Sequence, residues 1–345
     1  MSADQIDEMF VPAAVLEQGL SRYWGRSLQI VAIESQPLDS FSTHPIDRLQ
    51  VTLDDGQQLS VIFKQLQLKC DRHIRHRGKE VRIYERLLVN RDLGTPALYA
   101  SLYDESNHRY WLFMEDVGEW KLEYCDVEEW CAAFRWLARL HATYYGQAAQ
   151  LRQLDCLVEH GAVFYRYLAD MARQSVQLYQ PQAIARFDSL VSRLDELIAE
   201  LEAQPHTLVH GDMSCQNLIV QPQVGIRPID WEWAAIGVPA WDVAKLSSGW
   251  GTGKPRLLAA YFDEFARHAI APLDRRAFDR TLAGCDILKI LWYLRWWISP
   301  CRDIAQVDKL LDKIAERWHW LDKEENYARS PANSSGIAAR PSHSS

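Results

Sequence analysis

The sequence predicts a bilobal α+β chain, an N-terminal antiparallel sheet lobe followed by a larger helical C-terminal lobe. Three observations carry that prediction. The first third alternates apolar and polar residues in short β-branched runs. After Gly118 the apolar residues recur at helical spacing instead. The length, 345 residues, suits two parts of roughly 150 each.

Leu28–Glu34 and Arg48–Leu53 are alternating, β-branched segments, and Asp55-Gly56 marks a tight turn into a third, Gln58–Leu66. Together they read as an antiparallel meander. A basic helical run follows from Arg75 to Val89, with Val81, Tyr84, Leu87 and Leu88 at helical spacing. Two more strands, Leu98–Tyr103 and Tyr110–Met114, are joined by a turn at Ser106-Asn107. Beyond Gly118, Trp130, Phe134, Leu137 and His141 share one helix face. Leu190, Leu194, Leu197 and Leu201 share a face of another. Short strand signals return at Thr207–Val209, Leu218–Val220 and Arg227–Ile229, and helical patterns then run to about Lys323. The tail is rich in Ser, Pro and Ala and reads as disordered. The boundaries are 1–117, 118–325 and a tail 326–345.

Composition excludes several classes. Apolar residues make up 48% and charged residues 24%, as in ordinary globular chains rather than collagen-like or disordered ones. A net charge of −8 argues against a nucleic-acid partner, which needs a clustered positive field. The charge is uneven: residues 101–264 carry 13 basic and 23 acidic side chains, whereas the flanks are near neutral or slightly basic. The seven cysteines are irregularly spaced without a Cys-x-x-Cys pair, which reads as reduced thiols. The acidic N-terminus lacks the charge pattern of a signal peptide, and Ile287–Ile298 is too short and too interrupted to span a bilayer. A cytoplasmic location without a membrane partner is therefore expected; the oligomeric state stays open. The 14 tryptophans are an excess.

The strongest chemical signal is His210-Gly211-Asp212-Met213-Ser214-Cys215-Gln216-Asn217, flanked by apolar runs, with Asp230 thirteen residues beyond Asn217 at the end of another. Phosphoryl transfer needs such a set: a carboxylate to orient the attacking hydroxyl, and an amide oxygen with a second carboxylate to hold Mg²⁺ against phosphates. Asp212 fits the first role; Asn217 and Asp230 fit the second. Lys64 sits within the apolar run Val61-Ile62-Phe63, on the face of Ile62. A lysine there needs an anionic partner. Glu80 in the next helix can supply it, and Glu85, five residues on, is the alternative. Trp111–Gly118 reads as a strand breaking into a linker between the halves, where a nucleotide base can meet backbone groups.

With these residues in view, the sequence resembles the aminoglycoside phosphotransferase/choline kinase family, small-molecule kinases with a protein-kinase-like fold. The resemblance covers about residues 20–325 and is most specific over 210–246. It implies ATP or GTP with Mg²⁺ as cofactors, a nucleotide in the cleft between the lobes, and a small hydroxylated acceptor. It implies Asp212 as catalytic base, with His210 and Asp242 bracing the catalytic loop. Asn217 and Asp230 become metal ligands, Lys64 and Glu80 the phosphate-gripping pair, and the Glu115 carbonyl and Val117 amide the base contacts. Glu232 is expected close to the metals or the acceptor. The first hairpin loop, Gln36–Pro45, departs from the pattern because it has no glycine, so Ser40, Ser42 and Thr43 are its expected phosphate contacts.

Asp230 and Asp242 are only 12 apart, which leaves no room for a long peptide-docking segment and disfavours a protein kinase. A nucleotide-binding pseudokinase with a regulatory role also stays open, although Lys64, Asp212, Asn217 and Asp230 are all present. The acid-rich middle segment favours a cationic amino alcohol or aminoglycoside-like acceptor. Trp292 and Trp296, an i,i+4 pair on a late helix, are a candidate aromatic wall for it, with core packing as the alternative. Ser248–Pro255 superficially resembles a phosphate loop but fails that template at both ends. The basic run from Lys69 to Arg91 reads as a solvated helix face with Glu80 turned inward. His141 reads as a hydrogen-bonded core histidine.

Overall fold

The structure is a computed structural model that describes residues 3–38, 44–66, 78–89, 91–297 and 305–329. It opens with a helix, α1 (Ala3–Trp24), then β1 (Ile30–Pro37), β2 (Ile46–Leu53) and β3 (Gln58–Gln65). A short helix α2 (Lys79–Ile83) continues as a π-helical turn over Tyr84–Leu88, followed by β4 (Leu98–Asp104) and β5 (Arg109–Glu115). Next come α3 (Val127–Tyr144), α4 (Ala148–Arg152), β6 (Val158–Glu159), α5 (Ala162–Tyr179), α6 (Ile184–Val191) and α7 (Leu194–Glu202). The chain then runs through β7 (Thr207–Val209), β8 (Leu218–Gln221), β9 (Gly225–Pro228) and β10 (Ala235–Gly237). It finishes with α8 (Ala240–Leu246), α9 (Lys254–His268), α10 (Arg275–Trp297) and α11 (Ala305–Arg329). An antiparallel sheet lobe followed by a larger helical region is the bilobal kinase-like architecture.

The first five strands form one antiparallel sheet in the order β1-β2-β3-β5-β4, so the predicted meander and the later hairpin are both found. One face of the sheet carries the buried core. Strand alternation sends Val61 and Phe63 to one face, where they pack with Leu49, Val51, Leu53, Trp111 and Phe113 against Leu16 and Leu20 of α1. Sequence reading missed α1, which starts with acidic residues and contains Pro12. Its covering role depends on Gly19: a Cβ there would lie 2.3 Å from the Ala100 Cβ on β4. Ile62 and Lys64 take the opposite face, and Lys64 is 4% exposed.

Two further differences have local causes. The leucines from Leu190 to Leu201 were expected on one helix but belong to two, α6 and α7, with the break at Ser192-Arg193. The basic run near α2 is not uniformly solvated: Lys79 is buried. The portion of that run over 67–77 lies outside the described residues.

The chain forms two compact units. One comprises Met1–Glu159, Thr207–Ile236 and Trp250–Ile270; the other comprises His160–His206, Gly237–Gly249 and Ala271–Ser345. In the first, α3 packs on α9, with Arg139 donating to Glu264 at 2.7 Å and the buried His141 ring bonded to the Tyr261 hydroxyl at 2.8 Å. His141 is thus the core histidine its helix face suggested. In the second, α10 packs against α5, α8 and α11. Lys289 of α10 donates to the Ala244 carbonyl of α8 at 2.8 Å and to Asp286 at 2.7 Å. Among the described residues, no helix is long and apolar enough to cross a membrane.

Candidate active site

The loop after β7 and the turn after β9 are built against each other. Gly211 has φ +82, and a Cβ on it would lie 2.0 Å from the Trp233 carbonyl oxygen. Only glycine permits that approach. The His210 ring lies 4.7 Å from the Trp231 ring and its Nε2 meets the Ile229 carbonyl at 2.9 Å, so the histidine ties the loop to the residue before Asp230. The Asp212 carbonyl accepts from Ser214 N at 2.8 Å and from Asn217 Nδ2 at 2.9 Å. These bonds fix the backbone beneath the Asp212 carboxyl. They also occupy the nitrogen of the Asn217 amide, which leaves its Oδ1 as the oxygen donor a hard cation needs. Asp230 itself stands in the left-handed region, at φ 65 and ψ 62. For a non-glycine residue that is a strained backbone, of the kind concentrated at functional sites.

Lys64 reaches across to this turn. Its ammonium lies 2.7 Å from Glu80 Oε2 and 2.5 Å from Asp230 Oδ1. Glu80 is thus the partner; Glu85 instead accepts from Ser101 at 2.6 Å on the surface. Burial alone would lower Lys64, but the negative charges of Asp230, Glu80 and Glu232 outweigh it and hold the ammonium well above its ordinary range. Counting the buried Lys79 nearby, three carboxylates stand against two ammonium groups, so negative charge is in excess. Burial, with Asp230 and Glu232 adding to it, pushes Glu80 up from the ordinary carboxylate range although Lys64 pulls it down. That surplus, with the Asn217 oxygen, is a donor set that fits Mg²⁺. Among the described residues, no group of three or more His, Cys, Asp or Glu side chains could hold a metal ion. Mg²⁺ does not require one, because it ordinarily takes one or two carboxylates plus phosphate oxygens and water.

The start of α2 clasps the same turn. Glu80 Oε1 accepts from Trp231 N at 3.0 Å, and Lys79 Nζ donates to the Ala234 carbonyl at 2.6 Å. Sequence reading missed Lys79, because nothing local distinguishes it from the other basic residues of that run. Burial lowers Lys79 to about 8. Between that value and the ordinary lysine value of 10.5, the unfolded chain binds more protons than the folded one, so stability rises with pH. The gain amounts to about 3 kcal/mol across the window and has no slope below it, where both states carry the proton. Lys79→Met is expected to lose this rise. Chemical denaturation of both proteins from about pH 7 to pH 10.5 checks it, and parallel curves would count against a lowered Lys79.

Past β5, side chains are committed to structure. Glu115 accepts from Arg227 and from Ala97 N, and Asp116 accepts from Arg48 and Ser60, both at 2.7 Å, and from Gly118 N at 3.0 Å. Val117 is buried. This holds the segment assigned to the base in a defined path. Lys64, Glu80, Glu115, Val117, His210, Asp212, Asn217, Asp230 and Glu232 therefore all lie in one compact unit. Asp242, fully buried in the first turn of α8, and Trp292 on α10 belong to the other. Ser42 lies outside the described residues, as does the side chain of Trp296.

Trp292 is buried on α10. Lys245 Nζ lies 4.2 Å from its ring centroid and the Arg295 guanidinium 6.0 Å from it, while Arg295 also stands 4.8 Å over Tyr167. Cations of the protein itself already face this indole. Trp231, Trp233 and Trp241 are buried. Cys215 is half-buried and burial raises its thiol, which does not suit a nucleophile.

A family model described as a phosphotransferase enzyme family, APH, matches residues 48–279. No curated protein sequence matches the chain. Among solved structures, the chain is similar to a candidate aminoglycoside phosphotransferase from Ralstonia eutropha JMP134, with 17% identity, TM-score 0.59, and coverage of 89% of this chain and 98% of that one. It is similar to a candidate fructosamine-3-kinase from Thermobifida fusca YX-ER1, with 17% identity, TM-score 0.54 and the same coverages, 89% and 98%. It is also similar to an ethanolamine kinase from Plasmodium vivax, with 14% identity, TM-score 0.53, and coverage of 88% and 83%. At such identities the likeness is one of fold.

Proposed function

Because the chain belongs to the APH phosphotransferase enzyme family, we propose that it moves the γ-phosphoryl group of ATP or GTP to a hydroxyl of a small molecule. The observation that carries this reading is the assembly of Lys64, Glu80 and Asp230 on one side and Asp212 and Asn217 on the other, within one compact unit. In the proposed reaction the acceptor oxygen bonds to the γ-phosphorus as its bond to the β-bridging oxygen breaks. Asp212 orients the hydroxyl and takes its proton. Lys64, held by Glu80, offsets phosphate charge. Asn217 and Asp230 would hold Mg²⁺, which neutralises charge on the phosphates when bound. Most of the acceleration then comes from positioning and preorganised charge.

For the acceptor, the acid-rich middle segment favours a cationic amino alcohol or aminoglycoside-like compound, with Glu232 as its acidic contact. Trp292 is not assigned to it, because Lys245 and Arg295 already face that ring. An anionic hydroxylated acceptor is the reading that would replace it. Phosphorus NMR of the protein with ATP, Mg²⁺ and matched panels of hydroxylated amines, neutral alcohols and hydroxy acids decides between them. A new phosphate-ester resonance with an amine is expected. Turnover confined to hydroxy acids would establish the anionic reading, and Mg-ATP binding without any ester or hydrolysis would replace both with a regulatory pseudokinase.

A further inference from the structure

The sequence joining β1 and β2 has no glycine, the residue that most readily brings backbone N–H groups onto an anion. Its last residue before the ladder resumes is His44. The Pro45 carbonyl already accepts from Gln65 N at 3.0 Å, and Ile46 stands directly across from Lys64. A side-chain period of two therefore puts His44, Ile46 and Lys64 on one face of the sheet. The two basic side chains act alike. Lys64 meets Asp230 at 2.5 Å, and His44 Nε2 meets Glu232 Oε2 at 2.9 Å. Their targets are two residues apart on the single turn that Lys79 and Glu80 clasp. The His44 side chain is 4% exposed and that of Glu232 14%, so this pair is built into the site rather than formed on the surface.

Resting on the kinase reading above, we propose that His44 is a phosphate-binding residue, which passes its Nε2–H from Glu232 to an oxygen of the nucleotide's polyphosphate. Lys64 passes its own donor from Asp230 in the same way. Asp230 and Glu232 occupy the donors that phosphate oxygens would take. Once the donors have moved, Asp230 is left to a metal and Glu232 to the acceptor. The imidazole thereby supplies the N–H that a glycine-rich turn would otherwise present from its backbone.

The test separates phosphate recognition from a purely structural role. Binding of Mg-ATP, Mg-ADP and adenosine is measured by calorimetry for the wild type, His44→Ala and His44→Gln. His44→Ala is expected to weaken Mg-ATP and Mg-ADP by roughly tenfold or more, in line with the loss of one hydrogen bond to a charged group, and to leave adenosine binding unchanged. His44→Gln keeps an N–H donor and is expected to recover most of the loss. Equal weakening of adenosine and nucleotides, or no weakening of either, overturns the proposal and leaves the kinase reading intact. Failure of the wild type to bind any nucleotide overturns both.

Discussion

Asp212→Asn is expected to abolish most phosphoryl transfer, by about 10²–10⁴-fold, while unfolding at an unchanged temperature. The separation follows from what holds Asp212 in place. Its backbone carbonyl, not its carboxyl, accepts the bonds from Ser214 and Asn217 that shape the loop. The swap keeps the volume of the side chain and those bonds, and removes the capacity to take a proton from the acceptor. Steady-state rates with the acceptor found by NMR, set beside calorimetric melting, check it. An active Asp212→Asn would remove Asp212 from the chemistry, and an inactive but unfolded one would move its role to structure.

Lys64→Met is expected to cost both stability and activity. Removing one partner of a buried ion pair costs about 3–5 kcal/mol, because the remaining charge keeps its desolvation penalty. Here the remaining charges are Glu80 and Asp230, 2.7 and 2.5 Å from the ammonium. Pairing the change with Glu80→Leu is expected to restore part of the stability and none of the activity, because the apolar pair packs but leaves Trp231 N unpaired and cannot meet phosphate. Urea unfolding of the two single variants and the double variant gives the coupling, and additive losses would show that the pair is not coupled. The pH dependence has a definite sign. The Lys64 ammonium is held above its ordinary value of 10.5, so its contribution is complete below that pH and fades only as pH climbs through the higher folded value. Stability measured between about pH 6 and pH 9 should carry no slope from it. Any Lys79 rise therefore appears above about pH 8, with Lys64 silent until a higher pH.

Much of the candidate site is legible in the sequence because its chemistry is written locally. The loop His210–Asn217 places an acid, a glycine and an amide within eight residues. A lysine inside an apolar strand demands a counter-charge, which Glu80 provides. The sheet was equally readable, since alternation and a tight turn are short-range signals. Other features are not written locally. The gap between α6 and α7 is invisible to leucine spacing, which continues across it. His44 and Glu232 are 188 residues apart and Lys79 and Ala234 are 155 apart. No periodicity links such pairs.

The sequence by itself determined which groups are available for phosphoryl transfer and which family uses them in that order. A strand or loop specifies its own turn chemistry and its own pattern of faces. The tertiary structure alone decided which basic groups meet which acids. It buried Lys79 as a clasp, joined His44 to Glu232, and set Lys245 over the indole of Trp292. The physical reason is that a charge acquires its meaning from desolvation and from neighbours within a few ångströms. Both are properties of packing between distant segments, not of the segment that carries the residue.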